Sequence, residues 1–284
     1  LAECCLQQFI LDMLPIFRSP MFEIVGGMDL LAESMAAALP KDAILLSAEV
    51  HEIRRTNSGL TVSYQLDNKT YSDCADYVLI TSPPAHISRI RMVGLRAAKR
   101  MAEDIARVQV RPLFKCLAFC DRQFWSADAE MQDGGLLPTD TALTQVWYPS
   151  PLAKNNCVIT AAYAFTNYAK TWEHIKTDSE VRNLIFGGLQ KVHENVDDLE
   201  NMVFSISYKY WNNGYTYLEP SRYHNLLHSA KTAGSLDEGV VFAGEHMGPM
   251  HGWIVSAVMP AQFAVESIIQ HHRDFHMVNG PSTT

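Results

Sequence analysis

The feature that most constrains the fold is a strand, a glycine turn and a helix start that follow one another within residues 240–257. Val240, Val241 and Phe242 form a short apolar strand pattern, after which the sequence reads AGEHMGPMHGWIVSA. Glycine lets the backbone approach a ligand closely, and a helix N-terminus favours negative charge. This segment therefore predicts a binding site for a flat, anionic ligand. The alternative, from pattern alone, is an ordinary strand-to-helix turn with a tryptophan in the core.

Four positions of this segment carry the predicted ligand contacts. Gly244 allows close backbone approach, and the Glu245 carboxylate can accept hydrogen bonds from hydroxyl groups. Gly252 leaves the backbone unhindered beside the indole of Trp253. A ribose or ribityl chain joined to an electron-rich ring fits all of these groups.

Composition limits the classes of function. The chain has 284 residues, 48% of them hydrophobic, and a net charge of −8, so it can bury a large core in one domain or two smaller ones. There is no basic stripe to meet phosphates, so nucleic acid is not an expected partner. No apolar run reaches the roughly 20 residues that span a bilayer. We therefore expect a soluble protein with no membrane partner; the compartment stays open, with secretion favoured.

The six cysteines do not indicate a metal site. Neither CxxC nor a His/Cys ligand spacing occurs, so we expect no bound metal. Cys116 and Cys120 lie in an apolar strand pattern, and we interpret them as buried thiols.

The remaining patterns predict strands and helices without a regular alternation. Strands over Ala48–Arg55 and Gly59–Leu66 flank a hairpin turn, and a helix has Asp29 as its expected N-cap. The other predicted strands are Asp76–Thr81, Pro112–Cys120, Leu143–Tyr148 and Val158–Tyr163. The other predicted helices are Leu95–Ala106, Ser179–Val192 and Trp253–His272, the last followed by a frayed tail. Such a mixture predicts an α/β (α+β mixed) fold with a mixed sheet covered by helices.

Motifs from about Met21 onward resemble the flavin-containing amine oxidases. FAGEHMGPMHGWI is similar to that family's C-terminal flavin segment, and its HGW triplet is most similar to the L-amino acid oxidase branch. FEIVGGMDLLAESMAAAL resembles the family's GGM-D-L helix, and ADYVLITSPP resembles its strand ending in a Thr/Ser-Pro loop. RQFW and VWYPS follow in the family's order, so the resemblance covers nearly the whole chain.

The resemblance implies FAD as cofactor and a division of the chain. Segments 22–89 and 231–284 would form a partial FAD-binding Rossmann-like domain, residues 90–230 a substrate-binding domain, and residues 1–21 the end of a helical segment. The family's GxGxxG loop, which binds the FAD pyrophosphate, has no counterpart in this sequence. The chain therefore resembles the C-terminal portion of a longer oxidase. Its expected partners are an N-terminal portion carrying that loop and further copies in a homo-oligomer.

The resemblance also implies roles for individual residues. Lys115 matches a lysine that holds a water near flavin N5, Tyr163 a tyrosine that binds the substrate carboxylate, and Trp211 a tryptophan near the flavin. Gly252, through its backbone N–H, and Trp253 are the other expected substrate contacts. The expected FAD contacts are Val50, Ser82, Gly244, Glu245, Gly252, Trp253, Ile254 and Ala257. From the residues alone, Lys115 can instead be an edge-strand lysine exposed to solvent, and Tyr163 a core tyrosine.

The implied reaction is oxidative deamination of an L-amino acid. The products are a 2-oxo acid, ammonia and hydrogen peroxide, with dioxygen as the electron acceptor. Two alternatives stay open at this point. One is an amine or polyamine oxidase, which has no carboxylate anchor, and the other is a flavin-free structural subunit of the same fold.

Overall fold

The chain forms two compact units. The structure is a computed structural model that describes residues 22, 24–126, 134–149, 157–175, 177–217, 235–248, 250 and 252–279. Unit 1 combines residues 1–109 with residues 216–284, and unit 2 consists of residues 110–215. The domain boundaries predicted at 89/90 and 230/231 therefore differ from the unit boundaries, and residues 90–109 lie in unit 1. The predicted N-terminal helical segment, residues 1–21, lies outside the described residues.

Strands and helices are mixed along the chain, as the fold-class prediction required. The strands are β1 (Glu49–Thr56), β2 (Gly59–Leu66), β3 (Lys69–Ala75), β4 (Val78–Ile80), β5 (Arg91–Val93), β6 (Gln109–Cys120), β7 (Gly135–Pro138), β8 (Gln145–Tyr148), β9 (Val158–Phe165), β10 (Val203–Tyr217) and β11 (Val240–Phe242). The α-helices are α1 (Asp29–Ala37), α2 (Pro84–Ile87), α3 (Arg96–Ala106), α4 (Thr166–Lys170), α5 (Asp178–Val192), α6 (Leu199–Met202) and α7 (Ile254–Asn279).

Two helix ends differ from the prediction. Met28 occupies the N-cap position of α1, so Asp29 is the first helical residue and not the cap. The predicted end of the last helix at His272 is also wrong, because α7 continues to Asn279. The residues after His272 include Arg273, Asp274 and Phe275, which are compatible with a helix, and no glycine interrupts them before residue 280.

Unit 1 contains two sheets. In the first, with strand order β3–β2–β1–β5, β1 and β2 form the predicted antiparallel hairpin and β5 runs parallel to β1. In the second sheet, β4 and β11 are parallel, with Val78 opposite Val240 and Ile80 opposite Phe242. Parallel strands require a long connection, and unit 2 lies within the connection between these two strands. Unit 1 is therefore closed by strands that are distant in sequence.

The helices of unit 1 differ in burial. Helix α3 buries Ala98, Ala102 and Ile105, whose spacing places them on one face of a helix, in a core cluster with Ile53 and Leu60. In contrast, no residue of α1, all of which are described, is buried. Helix α7 likewise leaves large apolar side chains exposed, among them Ile254, Val258 and Phe263. No helix in the described part of the chain is both long and apolar enough to cross a membrane.

Unit 2 is a five-stranded sheet packed on one face. The strand order is β10–β6–β9–β8–β7, and the pairs β6–β9, β9–β8 and β8–β7 are antiparallel. Alternate residues of β6, from Phe114 to Cys120, enter a core with Ile185 and Leu189 of α5. Helix α5 starts at a capping box in which Thr177 and Glu180 satisfy each other's backbone amides. Helices thus cover one face of the sheet, and the β6 residues on the other face are half-buried.

The N-terminus of α3 is capped by a residue distant in sequence. Its N-cap, Leu95, has no side-chain acceptor. The Glu238 carboxylate instead accepts hydrogen bonds from the backbone N–H groups of Ala97 at 3.0 Å and Ala98 at 2.9 Å. Glu238 lies just before β11, so this cap ties the C-terminal segment of unit 1 to a helix of the earlier segment. A negative charge at this position also suits the helix dipole.

We predict that Glu238→Ala lowers the free energy of unfolding by roughly 1–2 kcal/mol, because two helix N–H groups lose a charged acceptor. Urea unfolding followed by circular dichroism measures the change. The control is Glu103→Ala, which removes an exposed carboxylate from α3 without touching these amides and should cost roughly 0.5 kcal/mol or less. Equal losses in the two variants would contradict the capping role.

Candidate functional site

A β-bulge brings the predicted substrate residues of unit 2 to one face. Lys115 on β6 lies directly opposite Tyr163 on β9. The pairing register shifts next to this pair, because Cys116 lies opposite Ala162 but Leu117 lies opposite Thr160. Ala161 and Ala162 are both buried, so the in-and-out alternation of β9 changes phase between them. As a result Tyr163 points away from the core, on the same face as Lys115.

Lys115 is held in a partly desolvated position on an internal strand. Strand β6 lies between β10 and β9, so the alternative of an edge-strand lysine is wrong. Its ammonium lies 5.4 Å from the centroid of the Tyr163 ring, within the range of a cation–π contact. Burial lowers the pKa of Lys115 from the ordinary lysine value. The ammonium therefore releases its proton more readily than that of a fully solvated lysine.

Aromatic rings extend this face of unit 2. The centroid of the Phe165 ring lies 4.3 Å from the centroid of the Tyr163 ring and 5.8 Å from that of the Tyr215 ring on β10. Phe165 was missed by the sequence analysis, although its position two residues after Tyr163 in a strand was the available signal. Trp211 lies on β10 with 39% of its surface exposed, and a regular strand places it on the same side as Tyr215.

Gly214 permits the close approach of β10 to β6. A Cβ atom at this position would lie 2.2 Å from Cβ of Leu113 and 2.9 Å from its backbone nitrogen. No side chain larger than a hydrogen atom fits there without moving β6. Gly214 therefore sets the distance between the strand that carries Tyr215 and the strand that carries Lys115.

In unit 1, the parallel pairing of β4 with β11 brings Ser82 and Gly244 to the same sheet edge. The Ala243 N–H donates to the Ile80 carbonyl at 2.9 Å, and both segments leave the sheet after this hydrogen bond. Ligands of open α/β folds bind outside the carboxyl ends of parallel strands. Gly244 has φ 128° and a Cβ there would contact His246 at 2.9 Å, so only glycine is compatible with this turn.

Glu245 holds the turn together, a role that its sequence position did not reveal. One carboxylate oxygen accepts a hydrogen bond from the Gly252 N–H, and the other accepts from the Thr216 N–H at 3.3 Å. The Gly252 amide, expected to donate to a substrate carboxylate, is thus already bonded within the protein. A bound carboxylate at this amide would have to compete with Glu245. The carboxylate of Glu245 still has lone pairs that can accept from a ligand hydroxyl.

The turn is also braced against the first turn of α7. Ser256 is fully buried, and its Oγ accepts a hydrogen bond from the Met250 N–H at 2.7 Å. A Cβ at Gly248 would lie 2.3 Å from the Ser256 carbonyl oxygen. That carbonyl lacks its usual helical donor because Pro260, four residues later, has no N–H. Gly248 thus packs closely against the first turn of α7, where a larger residue would not fit.

The start of α7 presents the last four predicted contacts at or near its surface. Gly252 is exposed, has φ 81°, and a Cβ added to it would meet nothing within 4 Å. Trp253 is half-buried, whereas Ile254 and Ala257 are exposed. The N-terminus of a long helix lies here, which favours an anion. His251 of the HGW triplet lies outside the described residues.

Val50 lies on the other sheet of unit 1. It is half-buried against the core cluster that also contains Ile80 and Phe242. The pairing of β1 with β2 shifts between Val50 and Glu52, and β5 pairs with β1 only from Glu52 onward. No described strand therefore pairs with β1 at Val50 on the side of β5.

The predicted residues thus form two groups. Lys115, Tyr163 and Trp211 belong to unit 2, and the remaining eight belong to unit 1, those eight being Val50, Ser82, Gly244, Glu245, Gly252, Trp253, Ile254 and Ala257. Among the described residues, no three or more His, Cys, Asp or Glu side chains are arranged to hold a metal ion.

Sequence comparison finds similar proteins among the L-amino-acid oxidases. The L-amino-acid oxidase of Bothrops jararacussu is 27% identical over 244 residues, which are 83% of this chain and 48% of that protein. The L-amino-acid oxidase of Echis ocellatus is 27% identical over 256 residues, covering 87% of this chain and 49% of its own length. The chain therefore spans about half the length of the curated relatives that it matches.

A solved structure and a family profile also match. The cyclohexylamine oxidase from Brevibacterium oxydans IH-35A has a similar fold, with a TM-score of 0.63 and 18% identity, over 87% of this chain and 53% of that one. The profile of the family described as flavin containing amine oxidoreductase matches residues 2–269. Because this match covers far more than half of the sequence, the chain belongs to the flavin-containing amine oxidoreductase family.

Proposed function

We propose that this chain is part of an oxidase that deaminates an L-amino acid to a 2-oxo acid, ammonia and hydrogen peroxide. The cofactor is FAD, in keeping with the family, and dioxygen is the electron acceptor. The observation that carries the proposal is the pairing of a partly desolvated Lys115 with Tyr163 on one face of unit 2. The L-amino-acid oxidases among the relatives support an amino acid as the substrate.

The residues of unit 1 are compatible with FAD. Gly244 carries no side chain at the ends of β4 and β11, so its backbone can approach a ligand closely. The N-terminus of α7 adds a favourable field for negative charge. When bound, FAD supplies the two-electron oxidation of the substrate's carbon–nitrogen bond. Ser82, Glu245 and the backbone at Val50 are the proposed polar contacts to its ribityl and adenosine parts.

Lys115 is proposed to hold a water molecule and to transfer protons. No carboxylate among the described residues forms an ion pair with its Nζ, and the Nζ lies 5.4 Å from the centroid of the Tyr163 ring. A cation in this setting is poorly solvated, so a water that accepts from the ammonium is strongly favoured. This water would then be the group through which Lys115 acts.

Tyr163 is proposed to donate its hydroxyl hydrogen to the substrate carboxylate. The other expected carboxylate donor, the Gly252 amide, is already bonded to Glu245, so the proposal depends on the Tyr163 hydroxyl. The neighbouring rings of Phe165 and Tyr215 favour an apolar or aromatic substrate side chain, which gains roughly 25 cal/mol for each Å² of apolar surface buried.

The same rings favour the second candidate, an amine oxidase. Aromatic faces attract ammonium groups through cation–π contacts, and an amine needs no carboxylate anchor. The cluster of Tyr163, Phe165 and Tyr215 is the specific observation behind this alternative. A comparison of an amino acid with its decarboxylated amine separates the two.

An N-terminal portion carrying a GxGxxG loop is proposed as the partner of this chain. No such loop occurs in the sequence, and the chain spans about half of its relatives. The apolar residues exposed on α1 and α7 are compatible with a covering partner. A homo-oligomer of the complete enzyme also belongs to the proposal.

We predict that the 284-residue polypeptide alone binds FAD so weakly that gel filtration removes it. The physical reason is that it offers contacts to the ribityl and adenosine parts but no glycine loop for the pyrophosphate. Absorbance in the yellow flavin bands of the eluted protein is the measurement. Bands that elute with the polypeptide would contradict the prediction. Their absence from the assembled protein would instead favour the flavin-free alternative.

Lys115→Met should slow turnover of the assembled oxidase by about two orders of magnitude, as expected for loss of a group that transfers protons. Methionine keeps the apolar stem and loses the ammonium. Stopped-flow absorbance measures flavin reduction and reoxidation separately. Lys191→Met, at an exposed position of α5, is the control and should turn over normally. Turnover of Lys115→Met within a few-fold of the parent would remove Lys115 from the mechanism.

Tyr163→Phe should lower kcat/KM for amino acids by about one to two orders of magnitude, because a hydrogen bond to a charged group is lost. Activity on the decarboxylated amines should change little. Peroxide release measured over matched pairs of substrates gives both values. Tyr168→Phe, on exposed Tyr168 of α4, is the matched control. Equal losses on acids and amines would mean that Tyr163 only shapes the pocket.

A further inference from the structure

Two thiols face each other across the pairing of β6 with β9. The register places Phe119 opposite Val158, so Cys120 and Cys157 are the next pair along the ladder. The Cys120 N–H donates to the Cys157 carbonyl at 2.8 Å, which continues the ladder to this pair. Both cysteines are free in the structure.

The two side chains also point to the same side of the sheet. Cys120 is 4% exposed and belongs to the core cluster of unit 2 together with Ala118. Cys157 is half-buried and packs against the same cluster. Cys116, the other cysteine of β6, lies opposite Ala162 and so has no thiol across the ladder.

The geometry of an antiparallel ladder is compatible with a bond between them. Directly opposite residues that are hydrogen-bonded have Cα atoms about 5.5 Å apart, within the roughly 4.4–6.8 Å spanned by disulfides. The Cβ atoms need to approach by about 1 Å. Cys157 precedes the first residue of β9, Val158, so it can make this adjustment without breaking the ladder.

We propose that Cys120 and Cys157 form an intrachain disulfide when the protein is exposed to a peroxide. One thiol attacks the peroxide, its O–O bond breaks, and a sulfenic acid and water form. The second thiol then attacks the sulfenic sulfur, the S–O bond breaks, and a second water leaves. Two thiols are thus oxidised to one disulfide as hydrogen peroxide is reduced to two waters. The proposed oxidase reaction releases this oxidant, but the inference requires only that a peroxide be present.

The environments of the two thiols assign their order. Cys157 is half-buried and reaches solvent, whereas Cys120 is buried. Burial, with smaller contributions from nearby Cys157 and Asp121, raises the pKa of Cys120 to about 12. Because the peroxide arrives from solvent, the more accessible Cys157 reacts first and Cys120 completes the bond.

The bond would fix the ladder that carries the candidate site. Lys115 and Tyr163 lie on the same two strands as the cysteines, and the bulge at Ala161 lies between the two pairs. Slipping β9 by one residue would turn Tyr163 to the core face. A cross-link at Cys120 and Cys157 opposes this slip from one end of the paired region.

The test is disulfide mapping of the folded chain. The protein is reduced, freed of reductant, exposed to hydrogen peroxide, alkylated at low pH and digested without reduction for mass spectrometry. We expect a linked pair of peptides containing Cys120 and Cys157, with two of the six cysteines lost as free thiols and regained with dithiothreitol. The link should persist in Cys74→Ser, which changes an exposed thiol on β3, and disappear in Cys157→Ser.

Thermal unfolding gives a second readout. Oxidation should raise the unfolding temperature of the wild-type protein by a few degrees and leave that of Cys157→Ser unchanged, because the cross-link restricts the unfolded chain. Recovery of Cys120 and Cys157 as free thiols from folded wild-type protein, under conditions that oxidise exposed Cys74, would overturn the proposal. A link from Cys120 to any other cysteine would overturn it as well. Neither result requires a variant to fold, and neither depends on oxidase activity.

Discussion

The parallel pairing of β4 with β11 is the interaction on which unit 1 depends. It joins strands that lie on opposite sides of unit 2 in the sequence. Other contacts reinforce the same junction: Glu238 caps α3, and the Tyr77 hydroxyl forms a hydrogen bond of 2.9 Å with Nδ1 of His271 on α7. Because both strands end together, Ser82 and Gly244 reach one sheet edge. Loss of this pairing would move the predicted FAD contacts Ser82 and Gly244 apart, although the residues themselves would be unchanged.

Much of this organisation could be predicted from local sequence. The β1–β2 hairpin, α3 and α5 each combine a periodic apolar pattern with a start or turn signal, and the structure confirms them within one residue or so. Strands β3 and β10 were missed, because the first is almost wholly exposed and polar. The second contains Asn212, Asn213 and Gly214, residues that predict a turn when only local propensity is considered. Strand β10 lies beside β6, which is distant in sequence, whereas β3 pairs with the adjacent strand β2 through the turn at Asp67 and Asn68.

The candidate site follows the same division. Gly244 and Gly252 could be predicted because their backbone requirement is local, and both have positive φ. The partners of Glu245 could not be predicted, because one of its amide donors, Thr216, is distant in sequence. The orientation of Tyr163 depends on a bulge at two alanines, which any sequence pattern reads as continuous strand. The sequence therefore shows which residues are candidates for the site, whereas the face to which each side chain points depends on the strand register.

Register is the reason that Lys115 can have a chemical role at all. An ammonium on an internal strand has two possible directions, and in the core it would lose its hydration without a charged partner. On the opposite face the ammonium contacts the ring of Tyr163 and can reach water, so it loses only part of its hydration. This partial loss of hydration lowers the pKa of Lys115. Gly214 holds β10 against one side of β6, and the bulged β9 holds the other. The position of Lys115 between two neighbouring strands therefore sets the partial burial that lowers its pKa.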